Sequence, residues 1–165
     1  MSSKESCRPL PGRSNDKCFA CSPDNPAGLK MKFFANEQSV FSWLIVPSHL
    51  SGWSNIVHGG VISTILDEIM GRSALEFVKK ITLTKSISVD FLKPLYVGDE
   101  LKAEGKLRGI ENEREAVMES FLYNSKGELC ARATGVLATF TPEALEKLRI
   151  IDASILQDAQ SLIKA

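Results

Sequence analysis

The residues whose types and spacing best suit one chemistry sit in one stretch, NIVHGGVISTILDEIMG, at positions 55–71. Thr64, Asp67, Glu68 and Gly71 fall at i, i+3, i+4 and i+7, so on an α-helix they share one narrow face among apolar neighbours. A carboxylate on such a helix needs a partner or a task. Glu68 has a partner within reach, because Arg72 lies four residues on and the two can pair as a surface salt bridge. Asp67 has Ser63 at i−4 and Gly71 at i+4, so it is the candidate general base or nucleophile. Just upstream, Gly59 and Gly60 are poor residues for a helix interior. They suit a helix N-terminus, where unbonded N–H groups can stabilise a developing oxyanion. His58 beside them offers a base, a donor or only a cap.

Other chemistries are less well supplied. The CFAC segment at 18–21 has a zinc-like spacing, but a structural zinc takes four ligands, and neither a second CxxC nor an HxxxH is present. A turn containing reduced thiols is expected there, followed by the turn formers of SPDNPAG. With only His49 and His58, the three protein ligands of a catalytic zinc are missing, and there is no GxSxG elbow for a serine hydrolase. No metal and no cofactor is expected. Cysteines at 7, 18, 21 and 130 are too sparse for a disulfide scaffold.

These residues need elements to hold them. Residues 1–17 read as a flexible polar leader, followed by an ordered loop. Short apolar runs at 29–35 and 39–46, separated by Asn36, Glu37 and Gln38, read as a hairpin. A long helix follows from His58 to Val78, with little polar surface, as expected when a curved sheet wraps around it. Residues 82–91 alternate with period two, 100–108 do the same, and 115–123 with 129–140 form a further hairpin over an Asn124 to Gly127 turn. Thr141 and Pro142 then start a helical tail. Short connections make these strands antiparallel, giving an α+β fold with one central helix.

The whole-chain properties agree. The 165 residues carry 20 basic and 20 acidic side chains and 44% hydrophobic residues, the composition of a one-domain globular protein with no net field for nucleic acid or an anionic membrane. No apolar run approaches the roughly 20 residues of a bilayer span, and the charged first residues contain no secretory h-region. A cytoplasmic setting is the expectation.

The 55–71 stretch resembles the HGG…D segment of hotdog-fold acyl-CoA thioesterases of the phenylacetate-pathway (PaaI-like) type. TKSISVDFLKPLYVGDELKAEGKL resembles their second half, and CFACSPDNPAGLKMKF the N-terminal segment of one branch. The similarity covers roughly residues 18–140, with 141–165 as a helical extension. It implies a hotdog fold, an antiparallel sheet around one long helix, associating as a homodimer or a dimer of dimers and hydrolysing acyl-CoA thioesters without metal. By position, Asp67 matches the catalytic acid. Gly60 or Gly59 supplies the carbonyl-polarising N–H with His58 nearby, and Thr84 matches a hydroxyl that places the attacking water. Where the family often has an asparagine six residues before the histidine, this chain has Gly52, and Asn55 is the substitute. Regular alternation sets Thr84 opposite Leu83 and Ile87, so it reaches the site only where the strand is twisted or edge-like. Asn55, Gly59 and Glu68 are the expected substrate-side residues. Lys79, Lys80, Lys85 and Arg72 are equal candidates for the polar tip of coenzyme A. A non-catalytic acyl-CoA sensor, and an acyl-CoA hydratase suggested by Asp24-Asn25-Pro26 but lacking its histidine, are the alternatives.

Overall fold

The computed structural model describes residues 4–12, 17–149 and 151–164. Its centre is α1 (Gly59–Val78), twenty residues with no proline. His58 caps the N-terminus, and Lys79, at φ 56°, ends the helix in the left-handed conformation. Ile65, Leu66, Ile69 and Met70 are all at 0% exposure, each contributing about 1.5–3 kcal/mol of burial.

Around this helix runs one antiparallel sheet of seven strands: β1 (Arg8–Pro9), β2 (Phe34–Ala35), β3 (Val40–Ile45), β4 (Ile81–Phe91), β5 (Glu100–Asn112), β6 (Glu115–Tyr123) and β7 (Leu129–Phe140). The spatial order is β1-β2-β3-β5-β6-β7-β4, so β4, the strand that follows the helix, lies at an edge. Gly105 shows how closely helix and sheet approach. A Cβ there would stand 2.3 Å from Ser73 Oγ and 2.7 Å from the Ile69 carbonyl oxygen, so glycine is what allows α1 to lie on β5.

The helix, the later strands and the tail follow the sequence reading, except that the strand expected over 100–108 continues past irregularities near Arg108 and Glu111 to Asn112. The first hairpin is shorter than expected, pairing only Phe34 with Phe41 and Ala35 with Val40. Leu29, Met31 and Phe33 nevertheless alternate inward, each 6% exposed or less, without a ladder partner. Within the expected leader, residues 1–3 and 13–16 lie outside the described residues. Its described part is placed on the sheet. Arg8 and Pro9 pair with Ala35 and Phe34, Cys7 is buried, and Arg8 makes an ion pair with Glu76 of α1.

The tail is two helices, α2 (Pro142–Leu148) and α3 (Ala153–Lys164). Thr141 caps the first by accepting from Ala144 N–H at 3.3 Å, with Pro142 at the first turn as its fixed φ favours. Leu145 and Leu156 bury against Ile81 in a small second core, which holds the tail to the start of β4 beside the C-terminal half of α1. Among the described residues no helix is long and apolar enough to cross a membrane.

Candidate active site

Asp67 sits halfway along α1, half-buried, and faces β4. Thr84 Oγ1 donates to its Oδ1 at 2.7 Å. The pair opens into a cleft of about 370 Å³, bordered by Gly71 and Leu75 of α1, Leu83 of β4 and Leu162 of α3.

A β-bulge brings Thr84 there. β4 pairs with β7 so that Thr84 stands opposite Leu137 and Ser86 opposite Val136, leaving Lys85 as an extra residue. Directly paired residues share a sheet face, and the alternating buried positions of β7 are Ala131, Ala133, Gly135, Leu137 and Thr139. Before the bulge the helix-facing residues of β4 are therefore Thr82 and Thr84, and after it Ile87 and Val89. The inserted residue shifts the alternation by one, so Thr84 and Ile87 lie on the same face. Strict alternation, which sets them on opposite faces, fails at this point. Lys85 itself turns to Glu115 of β6 in an ion pair that holds its pKa above the ordinary lysine value and that of Glu115 below the ordinary carboxylate range.

The start of α1 is organised differently from the simplest reading. Gly60 N–H donates to His58 Nδ1 at 3.0 Å, so the imidazole is the N-cap and occupies the donor otherwise available to an oxyanion. As acceptor, Nδ1 is unprotonated, which puts the proton of neutral His58 on Nε2. Gly59 is the first residue of the helix, where an N–H has no intrahelical acceptor, and the nearest side-chain atoms to a Cβ placed there belong to the Phe91 ring at 3.7 Å. Thr64, singled out with Asp67 on the polar stripe, bonds back to the Gly60 carbonyl at 2.9 Å. Asn55 lies in the exposed turn before the helix, its carbonyl accepting from Val97 N–H.

Glu68 borders the same cleft and also reaches the loop before the first hairpin. Cys18 Sγ donates to its Oε2 over 3.9 Å. Arg72, expected as a surface partner of Glu68, is 7% exposed. Its guanidinium lies over the Phe33 ring at 4.8 Å and donates to the Pro11 carbonyl at 2.6 Å, so it ties the chain's N-terminal segment to the helix. Lys79 pairs with Glu76 and Lys80 with the Glu113 carbonyl, so none of the four candidate cations is marked out as a phosphate ligand by its surroundings. A larger cavity, of about 620 Å³, lies on the outer face of the sheet among Trp43, Lys102 and Tyr123, and none of the candidate site residues lines it.

Residues 54–131, which include His58, Asp67 and Thr84, match the Thioesterase superfamily. Acyl-coenzyme A thioesterase THEM4 of Rattus norvegicus is 28% identical over 95 residues, 58% of this chain and 40% of that protein. The chain thus spans about two-fifths of the curated relative it matches. Among solved structures, the thioesterase superfamily protein RHA08564 superposes with a TM-score of 0.67 at 22% identity, over 72% of this chain and 58% of that one. A hypothetical thioesterase protein with coenzyme A from Streptococcus pneumoniae TIGR4 superposes at 0.63 and 19% identity, over 74% and 94% of the two chains. Central helix, wrapping sheet and these superpositions agree on a hotdog fold, and over residues 54–131 the chain is similar to the Thioesterase superfamily.

Proposed function

We propose that this protein hydrolyses acyl-CoA thioesters, with Asp67 as the catalytic carboxylate. The observation that carries the reading is the Thr84–Asp67 hydrogen bond, 2.7 Å long and opening into a cleft, between residues 17 apart in sequence that a strand irregularity brings together. The name of the rat relative and the coenzyme A in the streptococcal structure supply the substrate class. In the step envisaged, Asp67 takes a proton from water as the oxygen adds to the thioester carbonyl. The tetrahedral intermediate then expels the thiolate, which recovers the proton, leaving free acid and coenzyme A. Attack by Asp67 itself, through an anhydride that water opens, uses the same geometry. Thr84 is the positioning residue, since its hydroxyl fixes one oxygen of Asp67 and leaves the other for water.

The carbonyl belongs at a helix N-terminus, held by Gly59 N–H and, once it displaces the His58 imidazole, by Gly60 N–H. Gly60 and Asp67 of one helix are seven residues apart, about 10 Å of axial rise, whereas both must lie about 3 Å from one thioester group. Two chains with helices side by side and opposed bring Gly60 of one level with Asp67 of the other. The surface of β4 supports such pairing. It is an edge strand of eleven residues, and Ile87 and Phe91 on its helix side are 38% and 56% exposed.

Release of free thiol from short, medium, long and aromatic acyl-CoAs tests the activity. Wild type should turn over at least one class, and Asp67→Asn should lose at least about 10²-fold with unchanged melting, the low end for a positioned general base. Binding of acyl-CoA without turnover would make the domain a sensor.

A further inference from the structure

The sequence offers two thiols at zinc-like spacing and no further ligand nearby; folding supplies one. Glu68 lies next to Asp67 in the chain, but successive helical residues point about 100° apart, so when Asp67 faces β4 its neighbour faces the loop that precedes the first hairpin. In that loop Ser22 N–H donates to the Cys18 carbonyl at 3.0 Å, closing a tight turn, and Leu29 and Met31 N–H bond back to Phe19 and Ala20 at 2.9 and 3.0 Å. The turn brings both sulfurs to the same side. Cys18 Sγ, Cys21 Sγ and a Glu68 oxygen all lie within 4.8 Å of one another, with Cys21 buried and the other two half-buried.

We propose that Cys18, Cys21 and Glu68 form a binding site for one divalent cation of the zinc class. Zn–S bonds of about 2.3 Å and Zn–O bonds of about 2.0–2.2 Å place tetrahedral ligand atoms about 3.5–3.8 Å apart. The Cys18–Glu68 separation of 3.9 Å is already close to this, and the remaining separations, within 4.8 Å, exceed it by about 1 Å at most. Thiolates select a soft or borderline ion, while calcium and magnesium prefer all-oxygen cages. Binding exchanges two thiol protons for the metal: the dication, two thiolates and one carboxylate sum to −1, and the fourth position is open to water. The site would clamp the N-terminal loop to α1 one residue from Asp67. It revises the expectation of a metal-free turn, which rested on counting ligands along the chain instead of across the fold.

The test uses the full-length chain, stripped of metal and kept reduced with a phosphine, titrated with Co2+ and then Zn2+. The expected result is one equivalent of Co2+ per chain with thiolate-to-cobalt charge-transfer absorption and tetrahedral d–d bands, release of about two protons, and displacement by Zn2+. Cys18→Ser and Cys21→Ser should each abolish the charge-transfer spectrum, and Cys7→Ser and Cys130→Ser should leave it unchanged. Because an unfolded CxxC also binds metal, the decisive variant is Glu68→Gln, folded by circular dichroism. It should bind at least about tenfold more weakly, since even outer-shell partners cost 10–100-fold. No charge-transfer band in wild type, a band that survives Cys18→Ser, or Glu68→Gln binding as tightly as wild type would each overturn the site.

Discussion

Thr84 and Asp67 come from different elements and meet at 2.7 Å, so each fixes the other's rotamer at the mouth of the cleft. A hydrogen bond to a charged group is worth about 1.5–3 kcal/mol, which in a rate is roughly 10- to 100-fold. Thr84→Ala should therefore lower kcat by about that factor, and Thr84→Ser, which keeps the hydroxyl, should restore most of it. Equal kinetics for the alanine and serine variants would remove the hydroxyl from the mechanism. His58 is predicted to behave otherwise. As an N-cap to Gly60 N–H, its replacement by alanine should cost about 0.5–2 kcal/mol of stability, seen in the denaturation midpoint, while turnover falls far less than in Asp67→Asn. A loss matching that of Asp67→Asn would give His58 a direct part in the chemistry. Asp67 is legible from the sequence because it has no ion-pair partner a turn away on its own helix. Thr84 is named in the sequence only through the resemblance, because regular alternation turns it away and the phase shift that brings it to Asp67 shows only in the pairing with β7.

Among the elements, α1 and β6 are readable because their periodicities are long and regular. Hydrophobic residues recur through the twenty residues of α1, and β6 alternates strictly between half-buried and buried. The bulge in β4 is invisible to that logic, because Lys85 is an ordinary strand-compatible residue and only pairing with β7 shows it to be extra. The placement of Arg8 and Pro9 on the sheet is hidden likewise, since a charged residue and a proline carry no strand signal, and edge strands tolerate both. Deleting Lys85 tests the bulge. A ladder without the extra residue cannot keep both Thr84 and Ile87 on the helix side, so the variant should lose activity at least as far as Thr84→Ala or melt at lower temperature. Wild-type turnover with wild-type melting would show that Thr84 gains its position in another way.

At the scale of the whole molecule, the unsatisfied features converge on one side. β4 is an edge strand exposed along most of its length beyond Ile81, Phe91 stands by the first turn of α1, and Asp67 lies about 10 Å along the helix from the donors its chemistry requires. Pairing of two chains through this side would cover the edge and complete two identical sites about a two-fold axis. Folded Asp67→Asn and Gly60→Val proteins, each inactive alone, can be mixed under conditions that exchange subunits. A mixed dimer collects both lesions in one site and leaves the other intact. With half the dimers mixed and half of their sites restored, activity should return to about a quarter of wild type, the statistical value for a two-fold composite site. No recovery after demonstrated exchange, or full activity in a monomer, would contradict the account and give each chain a complete site of its own.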